Sequence, residues 1–247
     1  MYPVLFRIGA FEITTFGVLV GIAALVGIWI FGRELRRAGL PESGGNAAIA
    51  GVIGGLAGAK LIWTLEHLGT GTFSSLFFNR GGLSWFGGLI GGVGTGLWML
   101  RRHGLPLIPA LAAATPALAV GHAIGRVGCF LVGDDYGRPS DLPWAVAFPE
   151  GLPPTTVPVH PTQLYEAFAL GLVAWLLVRW RRAGVADRIV LGRYLAMAGS
   201  VRFAIEFIRV NERLLGPLTL AHLFSLGLMM VGLIVIARTS ADAPEVP

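Results

Sequence analysis

The chain has 247 residues, 54% of them hydrophobic and 13% charged, with a formal net charge of +5, 36 glycines and one cysteine; its mean hydropathy is +0.70. An average soluble domain carries roughly 25% charged residues, so this composition excludes a soluble globular class and points to a single membrane-embedded domain over 1–247. The basic residues sit in short loops between apolar blocks, which is a topology signal and not a nucleic-acid footprint, and a lone cysteine can close neither an internal disulfide nor a CxxC site.

The N-terminal stretch "MYPVLFRIGAFEITTFGVLVGIAAL" lacks a basic leader and a small-residue cleavage site and runs on into "VGIWIFGRELRR", which predicts a retained first span. Apolar blocks near the roughly 20 residues that cross a bilayer as helix predict seven spans, at about 12–32, 46–65, 86–100, 106–124, 163–180, 188–209 and 217–237. The expected fold is all-α, a polytopic integral membrane protein. The third span is short and glycine-rich, which is tolerable only where protein or a water-filled cavity covers the backbone. Every odd-numbered span exits into positive charge: Arg33, Arg36 and Arg37, then Arg101 and Arg102, then Arg179, Arg181 and Arg182, then Arg238. The inside-positive bias therefore predicts the N-terminus outside and the C-terminus in the cytoplasm. The segment 125–161 becomes an outer-face loop, joined there by Glu66, His67, Asn79 and Arg80 before the third span and by Arg209, Asn211, Glu212 and Arg213 after the sixth.

Charge inside this apolar chain is concentrated at a few places. Lys60, in the second span, can snorkel along its stem or present a positive point to a lipid phosphate. Arg126 can anchor its helix in headgroups, pair with Asp134 or Asp135, or grip phosphate oxygens through directed hydrogen bonds that a lysine does not duplicate. Cys129 reads as a small packed thiol, since spacing alone does not place His122 or His160 beside it. Trp144 suits an interfacial anchor. His160, followed by Pro161, Gln163, Tyr165 and Glu166 where the fifth span begins, either holds the loop or moves protons near neutrality. Arg202 and Glu206 are four residues apart on one helix face, and ionisable groups within a span usually mark a functional interior. No metal-ligand constellation emerges.

The stretches "GGLSWFGGLIGG", "GHAIGRVGCFLVGDDYGRPSDLPWAVAFP", "VHPTQLYEA", "VRFAIEFIR" and "GPLTLAHLFSLGLMMVG" resemble, in order and spacing, the phosphatidylglycerol–prolipoprotein diacylglyceryl transferase family over nearly the full chain. The resemblance implies a bacterial inner-membrane enzyme of lipoprotein biosynthesis. Such an enzyme moves the diacylglyceryl group of phosphatidylglycerol onto the lipobox cysteine thiol of a preprolipoprotein, forms a thioether and releases glycerol 1-phosphate. It implies no cofactor. Its partners are the lipid donor, the signal peptide with its lipobox, and the bilayer.

Residue by residue, Arg126 matches the family's first essential arginine, Gly137 the glycine after the acidic and aromatic positions, Arg202 with Glu206 the pair of the sixth span, and His160 the histidine before "PTQLYE". Asp134 stands where glutamate is common. The departures are Phe86 in "FGGLIGG" where the family has histidine, Phe16 where a tyrosine is expected, His222 where glutamine is often found, and Cys129 where asparagine is frequent. The implied mechanism has Arg126 and Arg202 stabilising phosphate charge, Glu206 orienting Arg202, and His160 standing in as base for the absent histidine. Phe16, Lys60, Phe86, Gly87, Gly88, Asp134, Tyr136 and Gly137 are expected to bind substrate, Asp134 and Tyr136 by shaping the outer mouth. Two other readings remain open at this stage: a divergent transferase with another lipid donor or thiol acceptor, and a nonenzymatic lipid- or lipoprotein-binding protein.

Overall fold

The computed structural model describes residues 2–9, 11–79, 81–211 and 213–241, so Arg80 and Glu212, two of the expected outer-face residues, lie outside the described residues. The chain is largely helical: α1 (Thr15–Arg37), α2 (Gly45–Glu66), the short α3 (Phe73–Phe77), α4 (Trp85–Arg102), α5 (Leu107–Val132), α6 (Thr162–Arg182), α7 (Asp187–Glu206) and α8 (Leu220–Ala241). Thr15–Arg37, Glu42–Glu66, Leu107–Val132 and Leu220–Thr239 are long and apolar enough to cross a membrane. The expectation of seven apolar spans is thus met by four. α6 and α7 carry Glu166, Arg202 and Glu206 together with charged residues in the last turn of α6 and the first turn of α7, which lowers their apolarity below that of a lipid-facing helix.

The all-α expectation needs correcting. Val4–Ile8 (β1) and Phe11–Thr14 (β2) form an antiparallel pair, and Val146–Phe148 (β3) pairs with Thr155–Val159 (β4). Chain outside a helix must still pair its N–H and C=O groups, and these β-branched and aromatic runs do so as short ladders.

The fold is inside-out relative to a soluble protein. Phe168 is 78% exposed and Ile90 68%, whereas Glu166 and Glu206 are almost fully buried. Apolar side chains outward and charged ones inward are what a lipid solvent selects.

The chain divides into two compact units, Met1–Gly27 with Ala114–Pro247, and Ile28–Ala113. In the second unit α2 and α4 pack backbone to backbone through Gly54 and Gly58 on one side and Gly87 and Gly91 on the other. Small residues allow this approach, and close van der Waals packing is what holds helices together where lipid is as apolar as leucine. A Cβ on Gly91 would meet the Gly54 carbonyl oxygen and come within 3.1 Å of Gly58 Cα. Gly91→Leu should therefore lower stability by about 1–3 kcal/mol through forced separation of the helices; an unchanged melting midpoint in detergent would contradict this packing. In the first unit α7 and α8 meet in the same way at Gly192, Gly199 and Gly232. α4 and α6 end in the left-handed glycines Gly104 and Gly184, which stop each helix directly after its basic turn.

Candidate active site

Within the first unit, three helix ends bring charge to one place. Near its C-terminal end α5 carries His122, Arg126 and Cys129, spaced four and three residues apart and so on one face. The helix runs on to Val132, so the irregular segment expected from residue 125 begins at Gly133. α6 contributes Glu166 from its second turn. α7 ends with Arg202 and Glu206, and Arg209 follows in the turn beyond.

These side chains form an alternating chain of charges. His122 Nε2 lies 3.5 Å from Glu166 Oε1. The other oxygen of Glu166 is 2.9 Å from Arg126 Nε, and Arg126 Nη1 donates to Asp135 Oδ2 at 2.7 Å. Asp135 in turn accepts from Arg209 Nη2. Arg209 Nε is 3.8 Å from Glu206 Oε2, which also pairs with Arg202 Nη2 at 2.8 Å. Three guanidiniums thus face three carboxylates. Arg202 Nη1 is buried and donates to no acceptor among the described residues.

The loop that supplies Asp135 is held by its backbone. Asp135 has φ 63°, a conformation in which aspartate is among the few residues tolerated. Thr162 Oγ1 donates to its carbonyl at 2.9 Å, and Gln163 Nε2 donates to the Asp134 carbonyl at 2.6 Å. Gly137 N donates to His160 O, and Arg138 N donates to Ile208 O. A Cβ on Gly137 would lie 2.8 Å from Thr162 Cγ2, 2.9 Å from His160 Cβ and 3.0 Å from Ile208 O, so only glycine lets the loop thread between these strands of chain. Burial pushes the Asp135 carboxyl up, but Arg209 and Arg126 together outweigh it and hold the group below the usual carboxylate range. Because the folded value is depressed, this pairing stabilises the fold at neutral pH and is lost only as pH falls through the lowered value. Burial and the neighbouring Asp135 push Asp134 the other way, upward.

Glu206 is the second anchor. Its Oε1 accepts from Asn211 Nδ2 and from Thr219 Oγ1, each at 2.7 Å. Thr219 N donates to His222 Nδ1 at 3.1 Å, and the His222 ring packs against Phe203 and Phe207. The first turn of α8 is thereby fastened to the end of α7. Among the described residues no group of three or more His, Cys, Asp or Glu side chains converges as a metal site requires.

The profile of the family described as prolipoprotein diacylglyceryl transferase matches residues 3–238 of this chain. The chain belongs to that family. It is 32% identical to the phosphatidylglycerol–prolipoprotein diacylglyceryl transferase of Geobacter sulfurreducens, over 94% of this chain and 92% of the relative. It is 31% identical to the Methylococcus capsulatus enzyme of that name, over 97% and 95%, and 32% identical to that of Nitrobacter hamburgensis, over 99% and 90%. Membership of a bacterial transferase family, together with several helices able to span a bilayer, makes this a multi-pass bacterial membrane protein with transferase activity of that general type.

Against this prolipoprotein diacylglyceryl transferase framework, the residues expected to act fall in two groups. Arg126, Arg202 and Glu206 come together in the charge chain. Phe16 and Asp134 also meet, lining a cavity of about 390 Å³ with Pro3, Thr14, Val132, Glu150 and Leu152. Tyr136 stacks on Phe148 and donates to Pro153 O at 2.6 Å, which fixes the loop. His160 stands apart from the charges: Trp144 Nε1 donates to Tyr165 Oη at 2.7 Å, and that hydroxyl is 3.4 Å from His160 Nδ1. Lys60, Phe86, Gly87 and Gly88 belong to the second compact unit. There Lys60 Nζ donates to Asn79 Oδ1 and Gly81 O and lies over the Trp63 ring, tying Asn79 and Gly81 to α2. Phe86 packs edge-on against Trp85, and Gly87 and Gly88 face α2. Cys129 is buried, with Arg126 Nη1 4.0 Å from its sulfur.

Four members of the charge chain were absent from the expected set: His122, Asp135, Glu166 and Arg209. A signal for Arg209 exists, since it continues the Arg202 and Glu206 face at the helical spacing of three. Glu166 carries the weaker signal of a carboxylate inside a predicted span.

Proposed function

We propose that the protein transfers the diacylglyceryl group of phosphatidylglycerol to the lipobox cysteine of a preprolipoprotein. The reading is carried by one observation: three arginines gathered at helix ends of an apolar fold, each with a buried N–H that makes no hydrogen bond among the described residues. A phosphodiester bound there gains directed hydrogen bonds.

In the proposed reaction the peptide sulfur attacks the glyceryl carbon of the donor. The S–C bond forms, the C–O bond to phosphorus breaks, and its electron pair stays on the phosphate, which goes from one negative charge to two. Arg126 and Arg202 stabilise that developing charge, and a preorganised cluster of donors in a dry site does this without reorganisation. Glu206 orients Arg202. Phe16 and Asp134 border a cavity suited to the entering peptide, and Tyr136 with Gly137 keeps the outer loop in place beside it. Seven membrane crossings, a single embedded domain with 125–161 facing outward, an outside N-terminus and a cytoplasmic C-terminus complete the reading. It is supported by the basic last turns of α6 and α8, which lie at the helix ends opposite the charge chain.

The test uses full-length protein in phosphatidylglycerol vesicles with a synthetic lipobox peptide. Thioether-modified peptide and glycerol 1-phosphate should appear in equal amounts. Peptide and lipid binding with neither product would overturn the assignment in favour of a binding protein; modified peptide formed only from a different donor lipid would reassign the substrate.

A further inference from the structure

The proposed transfer leaves one proton without an acceptor: the thiol loses it as the S–C bond forms. The sequence carries five histidines. His222 Nδ1 is an acceptor for Thr219 N, and its ring is buried between two phenylalanines. His160 Nδ1 is engaged by the Tyr165 hydroxyl. His67 and His103 are in the other compact unit, His67 stacked on Trp63 with Nδ1 2.8 Å from the Trp63 carbonyl. His122 differs from all of these. Its side chain is 42% exposed, it sits one helical turn before Arg126, and its Nε2 faces the buried carboxylate of Glu166.

Resting on the diacylglyceryl-transfer reading, we propose that His122 is the general base that takes the thiol proton, held in place by Glu166. A carboxylate beside Nε2 favours the tautomer that carries its proton there and leaves Nδ1 as the acceptor, and it stabilises the imidazolium that results. The electrostatics close. The three arginines and three carboxylates cancel, so the cluster has no spare positive charge when the phosphate passes from one negative charge to two. Protonation of His122 supplies that charge in the same step, four residues from the arginine that grips the phosphate. The imidazolium then returns its proton to the phosphate monoester or to water as products leave. The charged groups facing the ring are Glu166 from α6, Arg126 from its own helix and Arg202 from α7. Glu166 thereby has two duties, fixing Arg126 through one oxygen and His122 through the other.

The experiment compares wild type and His122→Gln on two peptides, one with the lipobox cysteine and one with selenocysteine in its place, in phosphatidylglycerol vesicles. A selenol is ionised at neutral pH and needs no base. With cysteine the variant should be slower by about 100-fold or more, the usual range for a lost general base. With selenocysteine it should stay within about threefold of wild type, which also shows that the variant is folded and binds both substrates. Equal losses on the two peptides would make His122 structural and overturn the proposal, as would a wild-type rate on cysteine. A wild-type protein inert on both peptides would instead overturn the transfer reading on which this one rests.

Discussion

Arg126→Lys should reduce peptide lipidation by about 100-fold or more while leaving the protein folded. Arg126 uses Nε for Glu166 and Nη1 for Asp135, two carboxylates carried by different segments of the chain. A planar fork can satisfy both and still direct a donor at phosphate, whereas an ammonium is a single point on a flexible stem. Lysine keeps the charge, so neither carboxylate is stranded without a nearby cation. It loses the geometry, and with it the placement of a donor on the leaving oxygen, an effect worth about 3–4 kcal/mol when one such donor is removed elsewhere. Arg126→Ala should behave differently. Removing the cation from Glu166, which is almost fully buried, should cost about 3–5 kcal/mol of stability in addition to activity. Initial rates of peptide modification and melting curves in detergent separate the two effects. A lysine variant within threefold of wild type would show that charge alone matters at this position.

What could be read from the sequence, and what could not, follows from the physics of each signal. Long apolar runs in an apolar solvent need internally satisfied backbones, so the helices were predictable to within a few residues at most ends. The end of α5 was not. Arg126 reads as the edge of the hydrocarbon, yet the helix continues to Val132 because Glu166 and Asp135 neutralise that arginine inside the fold. The short strands escaped because a ladder of two to four residue pairs is stabilised by its surroundings and not by its own pattern. Choosing Asp134 over Asp135 was a similar case: adjacent carboxylates are indistinguishable by type, and only the left-handed turn at Asp135 decides which one meets Arg126 and Arg209. Arg202 and Glu206 were legible because their spacing is a helix repeat. Glu166 and Arg209 become necessary only once the number of buried charges is known, since each buried cation requires a partner.

Glu206→Gln should be the most destabilising isosteric change in the charge chain and should also abolish most transfer. Glu206 forms an ion pair with Arg202, accepts from Asn211 and Thr219 and lies near Arg209, so one side chain ties the end of α7 to the start of α8 and to the turn between them. The amide keeps the shape but halves the acceptor capacity and turns an NH2 toward groups that are themselves donors. Arg202 and Arg209 are then left with one fewer buried counter-charge. Breaking such a pair costs about 3–5 kcal/mol, which corresponds to a fall of roughly 10 °C in melting midpoint for a chain of this size. The double variant Arg202→Gln with Glu206→Gln tests the cause. If the loss comes from an uncompensated cation, removing Arg202 as well should restore part of the stability, since neutral pairs bear no desolvation penalty of that size. Activity should not return, because the donor to phosphate is gone with Arg202. Stability would then recover without any recovery of transfer, an outcome that a purely structural role for the Arg202 and Glu206 pair does not allow.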